Sequence, residues 1–274
     1  MNLPRIIRKN IIYGIAISIA ILEILRLIFF IIFLQEFFLF FLFSSILLSI
    51  CALIIRLWVV DVDKFYSIIN ETDKYSSQIG DLKPKRYLNL MPIAMITCTI
   101  ADAVLPFSFI IGMLVFLTAH VILIIAFSGI IHVQPRLILS ETFSDLKSFN
   151  LRTIFSEQDG NNYLISFLTI MAVAILSYIF LIFNPNDFMT IVIIPYVIII
   201  SFMVFISMIG INYTKRRKKF RYMLALGSSF FMLSDLILAI NKFTIPIYGA
   251  TFIIISTYLI ANFLLQSASI YLTK

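Results

Sequence analysis

Charge is scarce in this chain: Asp, Glu, Lys and Arg make up 13% of its 274 residues, where a soluble domain carries about 25%. Cysteine is scarcer still. Cys51 and Cys98 both lie deep in apolar runs, which excludes a disulfide scaffold, and neither has a nearby charged group to activate its thiol. The two histidines, His120 and His132, stand twelve positions apart and form no converging set of metal ligands, so no metal is expected. There is no Gly-x-Ser-x-Gly elbow and no Gly-rich phosphate loop. A nucleophilic serine is therefore not expected, and Ser234, directly before Asp235, points along a different helix face from it. What is abundant is apolar, at 61% of the residues. That excess excludes disorder and a soluble fold alike, and makes lipid the solvent.

A helix needs roughly 20 apolar residues to cross about 30 Å of hydrocarbon. Eight such segments are predicted, near 11–33, 37–59, 87–105, 107–131, 162–183, 188–212, 220–240 and 246–272. The first follows Arg5, Arg8 and Lys9 but lacks a small-residue cleavage site and is longer than a signal peptide core, so it is read as a retained span. Pro92 and Pro106 are expected to kink or end the third. The fold class is an all-α polytopic bundle of eight transmembrane helices, with 1–274 as a single integral membrane domain.

Cytoplasmic loops collect Lys and Arg. With both termini inside, 19 of the 21 basic residues fall at or near the inner face, Lys242 alone lies outside, and Arg26 lies within the first helix. The expected localisation is a multi-pass membrane protein with cytoplasmic N- and C-termini. The run from Lys215 to Lys219 is a topology anchor against anionic headgroups. Although the net charge is +7, the basic residues are divided among membrane-flanking loops without aromatic interleaving, so nucleic acid is not an expected partner. The polar stretches 60–86 and 132–161 carry mixed charge and are read as interfacial loops or short surface helices.

An Asp at the centre of a membrane helix costs roughly 2.5–3.5 kcal/mol on insertion scales. Asp102, His120 and Asp235 all lie inside spans. Each alone could be packing glue between helices; three together point to a site. At about 1.5 Å of rise per residue, both aspartates come out about 21–23 Å above the inner ends of their helices, where they could face each other. The same arithmetic puts His120, Tyr196, Tyr258 and Asn262 at about 12–24 Å depth, as a polar column below the carboxylates. The strings ADAVL at 101–105 and SDLIL at 234–238 each end a span that turns back through a Pro-containing connection. Their separation by four helices suggests a parallel repeat of four plus four about an axis normal to the membrane.

At these residues the chain resembles a known family. GSSFFMLSDLILAINKF at 227–243 and TYLIAN at 257–262 are similar to the signature of the YhhN-like lysoplasmalogenases, a Gly-x-x-x-Phe-x-x-Ser-Asp run ending in Asn-Arg/Lys-Phe, then Thr-Tyr-Tyr-x-Ala-Gln. The stretch IADAVLPFSFIIGMLVFLTAHVILIIAF at 100–127, and Tyr196 with Met203, resemble further motifs of that family. The resemblance covers about residues 87–272. Ala101 stands for the family's Gly, Leu123 for a Tyr, and Asn262 for a Gln. The resemblance implies an eight-helix membrane hydrolase that cleaves the vinyl ether of lysoplasmalogens to a fatty aldehyde and a glycerophospho-base. It implies Asp102 and Asp235 as the catalytic carboxylates, with His120, Tyr196, Asn241, Tyr258 and Asn262 lining the substrate pocket.

Such a reaction needs an acid and a base but no cofactor, and two neighbouring carboxylates in low dielectric share one proton between them. The residues do not say which Asp holds it. The expected partners are a lysophospholipid substrate and membrane lipids. The alternative class is a small proton-coupled transporter or carrier, since intramembrane Asp and His also build proton relays.

Overall fold

The computed structural model describes residues 5–33, 38–59, 84–131, 188–212 and 216–272, together with 170, 172, 174–176 and 178–179. The expected fifth span, 162–183, falls mostly outside these residues, as do most of both polar stretches and His132. All regular structure among the described residues is helical: α1 (Arg5–Phe33), α2 (Phe38–Ile54), α3 (Pro84–Val104), α4 (Phe109–Ile131), the short α5 (Phe188–Val192), α6 (Ile194–Asn212), α7 (Lys218–Phe243) and α8 (Ala250–Ala268). Among the described residues, seven helices are long and apolar enough to cross a membrane. The protein is a polytopic helical membrane protein.

The prolines differ in effect. Pro92 sits inside α3, which continues through it, so its missing N–H removes one helical hydrogen bond without ending the helix. Pro106 follows the end of α3, and the chain turns through Leu105–Phe107 into α4. Pro195 stands in the first turn of α6, where its absent donor is least missed. The span expected over 188–212 is present as one span, Met189–Ile211, because helical bonding runs from α5 into α6 through Ile193, whose N–H donates to the Met189 carbonyl at 3.2 Å and whose carbonyl accepts from the Val197 N–H at 3.0 Å.

Two tight antiparallel pairs, α3 with α4 and α7 with α8, form the centre. The helix α2 packs on α3 and α8, and α6 packs on α7 and α4. The two arrangements correspond, α6 standing to α7 and α4 as α2 stands to α3 and α8. Tyr87, Phe127, Phe205, Phe220 and Phe231 fill the interior. Rows of Ile on α1, including Ile17, Ile21 and Ile31, stay exposed on the face left for lipid.

The α7–α8 seam explains Gly227. A Cβ there would stand 2.8 Å from Leu265 Cγ and 3.1 Å from the Ala261 carbonyl oxygen. Without a hydrophobic drive between helices in lipid, close backbone approach carries much of the association. Gly227→Val is expected to destabilise the bundle by about 1–3 kcal/mol, the usual cost of overpacking. Thermal unfolding in detergent measures this, and Leu265→Ala on the same chain should recover part of the loss.

Candidate active site

Asp102 lies two residues before the end of α3 and is 2% exposed. Its Oδ2 accepts hydrogen bonds from Tyr258 Oη of α8 at 2.8 Å and Ser45 Oγ of α2 at 2.5 Å. Ser45 Oγ also lies 3.0 Å from Thr99 Oγ1, which is 2.7 Å from Ser49 Oγ and shares its one proton among the Ser45 hydroxyl and the carbonyls of Ser45 and Met95, at 3.1 and 3.2 Å. Three hydroxyls thus cluster behind one carboxylate.

Asp235 lies on α7. Its Oδ2 accepts a hydrogen bond from Tyr196 Oη of α6, and His120 Nε2 of α4 stands 4.0 Å away from the same oxygen. His120 is fully buried, with Nδ1 2.7 Å from the Phe116 carbonyl. A carbonyl only accepts, so Nδ1 carries a proton, and in the neutral form of the ring it is Nε2 that turns a lone pair toward Asp235. That nitrogen has no hydrogen-bond partner among the described residues. Its ring is fixed edge-on against Phe231 at 4.7 Å and Tyr196 at 5.3 Å between centroids.

The partners of the two carboxylates correspond. Asp102 on α3 takes a hydroxyl from α2 and a ring hydroxyl from α8; Asp235 on α7 takes a hydroxyl from α6 and faces a ring from α4. The expected polar column below the carboxylates is corrected by this geometry for Tyr196, Tyr258 and His120, which meet the carboxylates directly. Helical side chains lean toward the N-terminus of their helix. On α3 and α7 that lean is opposite in sense to the lean on the antiparallel α4, α6 and α8, so side chains placed at different depths by backbone counting converge.

Both carboxylates line one cavity of about 540 Å³. Phe38, Phe41, Phe109, Phe116, Leu238 and Ile254 give it apolar walls, and Tyr258, Asn241, Lys242 and Arg26 are its other polar lining groups, with Ser234 and Thr251. A narrow apolar crevice leads on from Asp235 between α4, α6 and α7, past Met113, Tyr196, Ile200 and Met232. Asn241 reaches the cavity while its Oδ1 accepts the backbone N–H of Ile247 at 2.8 Å, fixing the turn into α8. His120 is behind Asp235 and not on the cavity wall. Asn262 is also off that wall: 2% exposed and one turn beyond Tyr258, it donates to the Tyr258 carbonyl at 3.1 Å, and its own Oδ1 has no partner among the described residues.

The residues Ser45, Ser49 and Thr99 were not singled out in the sequence. A signal was present in the serines, which are four apart and so share one face of an otherwise apolar helix. Arg26 stood out as a charge within a span, without an assigned place.

The model of the YhhN family matches residues 75–269. No curated protein and no solved structure matches the chain.

Proposed function

Since the chain belongs to the YhhN family, we propose that it is a membrane lysoplasmalogenase, hydrolysing the vinyl ether of a lysophospholipid by carboxylate acid/base catalysis. The observation that carries this reading is the pair of aspartates on one cavity wall, Asp102 buried and Asp235 half-buried, each held by a phenol. The apolar crevice beside Asp235 suits the alkenyl chain, and the polar end of the cavity suits the headgroup.

The hydrogen bonds favour a division of labour. Asp102 receives two hydroxyl donors and is the better stabilised carboxylate; Asp235 faces the lone pair of His120 Nε2 and is the better site for the shared proton. Asp235 protonates the outer vinyl carbon, and positive charge develops over the inner carbon and the ether oxygen. The Asp102 carboxylate stabilises that oxocarbenium ion and takes a proton from the water that adds to it. In the hemiacetal, Asp102 returns its proton to the departing glycerol oxygen while Asp235 recovers one from the new hydroxyl. Aldehyde and glycerophospho-base leave, and both carboxyl groups regain their starting states.

Purified protein incubated with lysoplasmenylcholine or lysoplasmenylethanolamine should release fatty aldehyde, read by mass spectrometry. A carrier would release none, and would instead move substrate or protons across liposomes in an Asp-dependent way.

We also infer that both termini are cytoplasmic, from the distribution of 19 of the 21 basic residues. Reporters fused at Lys274 should be active only in the cytoplasm; activity only outside would overturn the orientation.

A further inference from the structure

We propose that Arg26 and Lys242 form a phosphate-binding end of the cavity, the subsite that holds the phosphate of the lysophospholipid. The inference rests on the hydrolase reading and adds to it the group by which the substrate is recognised. Both cations line the cavity that holds Asp102 and Asp235. Arg26 lies on α1, outside the residues that the family model matches, so family membership does not supply it.

A guanidinium only 4% exposed is expensive in a membrane helix unless it is paired or serves a site. Among the described residues its pairing is partial. Nε donates to Glu23 Oε2 at 2.9 Å, while Nη2 lies 2.8 Å from the same oxygen without making an aligned second bond. Glu23 is itself held by Ser44 Oγ at 3.3 Å. Glu23 therefore orients the fork and leaves donors of a group that carries five. Aromatic rings support both charges, Phe252 lying 5.5 Å from the Arg26 guanidinium and Phe109 5.7 Å from Lys242 Nζ.

The spacing fits the chemistry. Lys242 stands seven residues beyond Asp235 on α7, about 10 Å along the axis, and its side chain leans back toward Asp235. Three glycerol carbons and one oxygen separate the vinyl ether oxygen from phosphorus, a span that these two groups can bracket. A planar guanidinium matches two phosphate oxygens at once, and the ammonium supplies a second charge.

The test uses two non-cleavable saturated ethers, 1-O-alkyl-glycerophosphoethanolamine and phosphate-free 1-O-alkylglycerol, binding to the full chain in detergent. Wild type should prefer the phosphate-bearing ligand. Arg26→Gln should cut that preference at least about 10-fold, the scale of a charge-assisted hydrogen bond. Arg26→Lys should keep part of it, and Lys242→Gln should reduce it by a smaller factor. An unchanged preference in Arg26→Gln overturns the proposal; if that variant does not fold, an unchanged preference in Lys242→Gln does so. Aldehyde release by wild type is measured beside these. A preference that depends on Arg26 without any aldehyde leaves the phosphate site standing and removes the reaction, whereas aldehyde with no such dependence does the reverse.

Discussion

Asp235→Asn lowers aldehyde release at least about 100-fold, the lower range for a positioned acid or base. The amide keeps the size and the Tyr196 contact but has no proton to give to carbon. Asp102→Asn produces a loss of the same order, because the amide neither stabilises the cation nor takes a proton from water. The double variant loses little more than either single one, since groups that act as a unit are not additive. Turnover by the purified variants, compared at equal folded fraction, gives the three numbers. Retained hydrolysis in both single variants would make the carboxylates structural.

Tyr196→Phe comes next in size, with a loss of about 10- to 100-fold, the worth of a hydrogen bond to a charged group. Once Asp235 has given up its proton, the Tyr196 hydroxyl is the one described hydrogen-bond donor to the carboxylate left behind. Asp102 is differently supplied. Tyr258→Phe removes one of two donors and Ser45 remains, so its loss falls at the low end of that range. Adding Ser45→Ala strips the carboxylate of both and should deepen the loss beyond either single change. Equal effects of Tyr196→Phe and Tyr258→Phe would contradict the division of labour drawn between the two carboxylates.

The aspartates were legible in the sequence because a charge inside an apolar run is conspicuous and costly. Helix existence was legible for the same reason, from the length of the runs. Tyr196 and Tyr258 emerge from depth counting and again from family resemblance, but the depth of their backbones alone misplaces them below the carboxylates. Their hydroxyls travel several ångströms from Cα in a direction set by helix polarity, which residue counting ignores. Ser45 and Thr99 were harder to find. A hydroxyl inside a helix usually bonds to its own backbone, as Thr99 also does toward Met95, and nothing in the sequence distinguishes one that turns to a neighbouring helix. Pro92 and Pro195 both lie within spans that continue past them, so a proline alone does not end a membrane helix. Asn262 stands at a position where the family has Gln, yet it bonds to its own helix and stays off the cavity wall.

Protonation of carbon by Asp235 can be followed directly by running the hydrolysis of lysoplasmenylethanolamine in D₂O. The expected aldehyde carries one deuterium on the carbon next to its carbonyl, and Asp235→Asn yields almost none of this product. Aldehyde without that deuterium, or labelled aldehyde formed as fast by Asp235→Asn as by wild type, would contradict the carboxylate mechanism.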